Sequence, residues 1–159
     1  MPGHGRALTR RRRGTGWSRL AAAAAVLPAL TTMAAALAER GYGLVSGGTD
    51  NHLILIDLTA QDIGGKPAAR ALDRAGIEVN YNTVPFDTRK PFDPSGIRIG
   101  TPAITTRGLT EQHMPQLAAW MDEVIAAAAK DDEATIERIC GEVADLLTGF
   151  PMPGWSAQA

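Results

Sequence analysis

Acidic residues are missing from the first 38 positions, and cysteine is nearly missing from the whole chain. A lone cysteine, Cys140, excludes an internal disulfide. It falls on the apolar face of a predicted helix, so it reads as a small buried hydrophobe and not a reactive thiol. That fits a reducing compartment such as the cytoplasm. The three histidines (His4, His52 and His113) show no metal-ligand spacing with the cysteine, which argues against a zinc site. His52 reads as a strand-entry residue with a satisfied side chain, and His113 as an exposed residue near a helix start. No phosphate-binding glycine motif is present. Aromatics make up only 5% of the chain, so its core must rest on Leu, Ile, Val and Ala.

What is present divides unevenly. Arg6, Arg10, Arg11, Arg12, Arg13 and Arg19 all precede the first acid, Glu39. Without those six, the other ten Lys and Arg face 17 acids, leaving a body with a net charge near −7. An acidic body does not favour nucleic acid as a partner. The arginine run and the Ala-rich stretch after it mimic the order of an export signal. Pro28 interrupts the stretch, however, and it reads as too short and too broken to span a bilayer. Residues 1–19 are expected to form a disordered basic arm, with no membrane partner. Residues 20–40 are expected to form an Ala-rich helix stopped by Gly41. An apolar patch along 21–37 is expected to cause self-association.

A chain of 159 residues is one domain by size. Strands are predicted at 42–46, 52–58, 77–80 and 97–101, with a helix over 64–75. Residues 82–94 form a loop rich in Pro, Asp and Asn. Two helices finish the chain, the first starting at Thr110 or later because of Pro115, the second capped by Asp131 or Asp132. The fold class is α/β: a two-layer sandwich of a small, mainly antiparallel sheet with helices on one face.

The segment 95–108, Ser-Gly-Ile-Arg-Ile-Gly-Thr-Pro-Ala-Ile-Thr-Thr-Arg-Gly, carries the most chemistry. Arg98 sits within an apolar strand, which is costly unless its guanidinium meets an anion. The planar fork suits a carboxylate held bidentately. Two carboxylates qualify: one from this chain, forming an internal salt bridge, or one from a ligand. Gly96 and Gly100 flank the arginine and leave room for a ligand near the backbone.

This segment resembles the small-domain arginine strand of serine hydroxymethyltransferases. Three more stretches agree in order: Leu-Val-Ser-Gly-Gly-Thr-Asp-Asn-His-Leu (44–53), Gly-Ile-Glu-Val-Asn-Tyr-Asn-Thr-Val-Pro-Phe-Asp (76–87) and Arg-Lys-Pro-Phe (89–92). The likeness runs from about Met33 to Trp155 and covers only the C-terminal part of the family's chain. It implies a C-terminal domain over 41–155, like the small domain of aminotransferase-like pyridoxal-phosphate enzymes. It also implies a homo-oligomeric family and the reaction of serine with tetrahydrofolate to give glycine and 5,10-methylenetetrahydrofolate. Arg98 would then hold the substrate's α-carboxylate, and Asn82 would contact the folate ring. Tyr81 stands where the family commonly has lysine, removing a charge that would meet folate's acidic tail.

The family's cofactor, pyridoxal phosphate, needs a Schiff-base lysine. The chain has three lysines, Lys66, Lys90 and Lys130, and none follows the family's threonine-run and histidine motif. The family's cofactor-stacking histidine and the aspartate for the pyridine nitrogen are also absent. No catalytic residue is therefore assigned. A truncated, by itself inactive transferase is expected, with a full-length or N-terminal-half serine hydroxymethyltransferase as its partner. The alternatives are a non-catalytic assembly module docking on such a half, or a gene remnant.

Overall fold

The computed structural model describes residues 19–47 and 52–153. The basic arm expected at 1–19 lies outside the described residues, except that Arg19 opens the first helix. The elements run α1 (Arg19–Ala38), β1 (Gly43–Leu44), β2 (Ile54–Asp57), α2 (Gly65–Arg74), β3 (Asn80–Asn82) and β4 (Gly96–Ile99). They continue with α3 (Pro102–Arg107), α4 (Met114–Ala128) and α5 (Glu133–Thr148).

The four strands form one antiparallel sheet in the order β1-β2-β4-β3. Alternation decides its two faces. Ile54 and Ile56 of β2 and Ile97 and Ile99 of β4 all point to one side and are buried. The helices cover that side, with α4 at the centre against α1, α2 and α5. Leu30 and Leu37 of α1, Leu72 of α2, Met114, Met121 and Ile125 of α4, and Ile136 of α5 fill the space between. The result is the two-layer α/β sandwich expected from the sequence.

The start of β4 is pressed hard against α2. A Cβ on Gly65 would lie 2.1 Å from the Gly96 carbonyl oxygen, and one on Gly96 would lie 2.6 Å from Val84 Cγ1. A Cβ on Gly100 would sit 2.7 Å from the His52 carbonyl oxygen. The glycines flanking Arg98 therefore answer to this chain's own packing. The expectation that they leave room for a ligand is corrected.

Other expectations shift as well. The strand expected at 77–80 lies at 80–82. Gly76 takes a positive φ of 79° and the Ile77 N–H donates to the Leu72 carbonyl, so the helix cap uses the first residues of that stretch. The helix α3 was not foreseen, because Ile-Thr-Thr is a poor helix former. Pro102 in its first turn presets the backbone, and Gly108, at φ 108°, closes it. A 3₁₀ turn at Glu111–His113 precedes α4, which places Pro115 in the first turn, where it costs nothing. Asp132 caps α5 by accepting from the Thr135 N–H.

Helix α1 runs unbroken through Pro28. Residues Ala21–Ala38 are long and apolar enough to cross a membrane by length and composition, with mean hydropathy 1.8. The expectation that this stretch is too short and broken is thus corrected. One side of it (Ala29, Leu30, Met33 and Leu37) is buried against the rest of the fold. Alanines and Leu27 make up most of the other side, so α1 keeps an exposed apolar stripe within 21–37, and further exposed apolar side chains stand at Phe86, Phe92 and Met152. Cys140 is half-buried, which corrects the buried expectation.

Candidate functional site

Arg98 occupies the face of the sheet opposite the helices. Its register partners are Leu55 on β2 and Asn80 on β3. Its neighbours along the strand, Ile97 and Ile99, point into the core while Arg98 is exposed. Among the described residues the ion pairs are Arg74–Glu133, Arg89–Asp93, Arg138–Glu123 and Arg138–Glu142. Arg98 belongs to none of them, and while its backbone pairs within the sheet its guanidinium has no hydrogen-bond partner among the described residues. Among the described residues, then, no internal salt bridge accounts for this arginine.

Asn82 stands opposite Gly96, one pleat repeat from the Asn80–Arg98 pair. Asn82 and Arg98 are thus diagonal neighbours on the open face, about 7–8 Å apart at the backbone. The structure brings the two sequence-derived site residues together. Asn80, directly opposite Arg98, was not singled out in the sequence, and Asn82 was named there only through the family resemblance, as the first residue of a loop; both lie on β3. Tyr81 points the other way on the edge strand and is half exposed. His52 is exposed at the entry to β2.

A groove of about 500 Å³ opens beside Arg98. Residues 76–80 form one wall and 98–101 another, with Ile104, Leu146 and Leu147 closing it; Arg98 lines it and Asn82 does not. Arg107 also borders it, but this guanidinium is already committed. Its Nε donates to the Phe150 carbonyl at 2.7 Å and its Nη2 to the Leu147 carbonyl at 3.4 Å. Arg107 thus holds the end of α5. His113, expected to be exposed, is half-buried: its Nδ1 accepts from the Thr110 N–H at 3.0 Å and its ring meets Phe150 edge-on.

Fold and face together define a class: a small α/β domain with an arginine on its open sheet surface whose guanidinium has no partner among the described residues. The comparisons make the class specific. The sequence profile of serine hydroxymethyltransferase matches residues 20–121. The serine hydroxymethyltransferase of Acidothermus cellulolyticus is 64% identical over 129 residues, which is 76% of this chain and 30% of that protein. That of Sorangium cellulosum is 64% identical over 119 residues, 75% of this chain and 28% of that protein. That of Rhodopirellula baltica is 49% identical over 129 residues, 81% and 30%. The chain belongs to the serine hydroxymethyltransferase family. It spans about 30% of the length of these relatives, in their C-terminal portion.

The family implies pyridoxal phosphate, and the described residues do not fit it. A Schiff base needs a lysine amine at the site. Lys66 lies in the first turn of α2, Lys90 is exposed in the loop before β4, and Lys130 is exposed after α4. None of the three lines the groove beside Arg98.

Proposed function

We propose that this chain supplies the substrate-carboxylate clamp and part of the tetrahydrofolate wall of a serine hydroxymethyltransferase. The Schiff-base lysine would come from the remaining portion of a family protein. In this reading Arg98 holds the α-carboxylate of serine or glycine, and Asn82 donates and accepts at the pterin edge. The chain would act in cytoplasmic one-carbon metabolism, in an oligomer with that lysine-bearing portion. By themselves the 159 residues would not turn over serine.

One observation carries the proposal: a guanidinium on the open sheet face with no anion beside it among the described residues. A desolvated carboxylate is the natural partner for such a fork, because two parallel hydrogen bonds fix both its position and its plane. Fixing that plane orients the reacting bond.

The test mixes this chain with the lysine-bearing N-terminal portion of the Acidothermus relative, pyridoxal phosphate and tetrahydrofolate. Serine turnover is expected from the mixture and none from the chain alone. Arg98→Lys keeps the charge and loses the fork, so the regained rate should fall roughly 30-fold to several thousand-fold. Glu137→Gln, exposed on α5, serves as the control and should leave the rate unchanged. A regained rate indifferent to Arg98→Lys would remove the carboxylate role. Verified docking without activity would favour a non-catalytic assembly module.

A further inference from the structure

The loop between β3 and β4 is held by one carboxylate. Asp87 accepts hydrogen bonds from the Ser95 N–H at 2.9 Å, the Ser95 hydroxyl at 2.7 Å, the Arg89 N–H at 2.9 Å and the Val84 N–H at 3.3 Å. These donors come from both ends of the loop. Val84 follows Asn82 by two positions, and Ser95 precedes Gly96, the register partner of Asn82. Ser95 is buried, and its carbonyl accepts from the Leu58 N–H at 3.0 Å, beyond the end of β2. Asp87 therefore ties the exit of β3 to the entry of β4, and Ser95 ties both to β2.

The local backbone is strained to make this possible. The Asp87 N–H donates to the Val84 carbonyl at 3.1 Å, Pro85 takes the second turn position and Phe86 the third, with φ 59°. A positive φ at the third position is the pattern of a type II turn, which prefers Gly or Asn there. Phe86 is fully exposed, so no packing of its ring compensates. Strain of this kind persists where surrounding bonds over-determine the conformation. The four bonds to Asp87 are those bonds. The Asp87 carboxyl is held well below the usual carboxylate range by the Ser95 N–H and hydroxyl and by the Arg89 and Val84 N–H groups.

We propose that Asp87 is a positioning residue: by tying the two ends of the 83–95 loop it sets Asn82 against Arg98, and so aligns the folate-side and carboxylate-side groups. Asp87 would act through Asn82 and Arg98 and not on a ligand, a role that rests on those given above to these two residues.

Two measurements separate this proposal from the functional reading beneath it. The first uses the full chain alone, isotope-labelled for nuclear magnetic resonance. Asp87→Asn should speed amide exchange at Val84, Arg89 and Ser95 about tenfold or more, while core amides such as Ile97 hold. It should also shift the Asn82 side-chain amide and the Arg98 Nε–H signals. The second uses the mixed halves. Asp87→Asn should raise KM for tetrahydrofolate about tenfold, with kcat changed far less, and Asp87→Glu should recover part of the loss. Ser95→Ala removes only the hydroxyl bond and should give a smaller change in the same direction, which keeps the test open if Asp87→Asn folds poorly. Loosened loop amides with unmoved Asn82 and Arg98 signals would overturn the proposal, reducing Asp87 to a local clamp. A loss confined to kcat would overturn it too. If the halves never assemble, the functional reading fails and the resonance measurement still decides whether Asp87 positions these two groups.

Discussion

Ile97 and Arg98 are adjacent on one strand and belong to two different surfaces. Ile97 faces the helical layer, where Ile54, Ile56 and Ile99 from the sheet meet apolar residues of α1, α2, α4 and α5. Arg98 faces away, in a row with Leu55 and Asn80, and finds no charge partner among the described residues. The helical side is a closed account of hydrophobic burial. Its polar groups are also met within the chain: Tyr42 donates to Asp122 at 2.9 Å, and Trp120 Nε1 to Glu142 at 2.7 Å. On the open side the Arg98 guanidinium has no partner among the described residues. One face stabilises the domain and the proposed site lies on the other, so substitutions on the two should separate stability from function.

The largest effect should come on the closed side. Ile97→Ala should lower unfolding free energy by about 2–5 kcal/mol, since it removes buried volume the core cannot fully collapse into. Arg98→Ala, one residue on, should change it by less than about 0.5 kcal/mol. Urea midpoints of the two variants test the contrast directly. Equal losses would mean that Arg98 is structural.

Arg107 comes next. Its exposure is intermediate and it looks like a surface cation in sequence, yet it binds the last carbonyls of α5. Arg107→Ala should cost about 1–3 kcal/mol, by leaving those acceptors without their donor. A negligible shift in thermal midpoint would show that water replaces it.

A subtler pH effect belongs to Asp87. Its folded-state carboxyl is held below its unfolded value, so its contribution is present above about pH 4 and is lost as pH falls through the folded value. The stability gap between the native chain and Asp87→Asn should be widest near neutrality and narrow on acidification. Urea midpoints across an acid series measure it, and a gap that stays constant with pH would contradict the pairing.

A small gain is expected at the turn. Phe86→Asn keeps a side chain that tolerates positive φ, so relief of strain should add about 0.5–1 kcal/mol. It should also reduce binding of a hydrophobic dye, because Phe86 is fully exposed. Unchanged stability would mean that the turn carries no strain.

Much of this was legible in the residues. A near-continuous apolar run marked β2, a short apolar run ended by Pro102 marked β4, helical spacing marked α4 and α5, and a lone arginine among Ile and Gly marked the candidate site. These signals are local and follow from backbone geometry. The boundary of β3 was not legible, because the cap on α2 and the reach of β4 decide it together. Helix α3 was not legible either, since Pro102 and Gly108 impose it against weak propensity.

The sequence by itself determined the family and the α/β pattern, and through the family motifs it pointed to Asn82 and Arg98 as candidates, because motifs and periodicity need no partner in space. Only the tertiary structure decided that Arg98 has no internal carboxylate among the described residues, that its flanking glycines serve packing, and that Arg107 and Asp87 are tied to distant backbone. Those outcomes depend on which groups meet across the fold, and sequence spacing holds no record of distances between residues far apart in the chain.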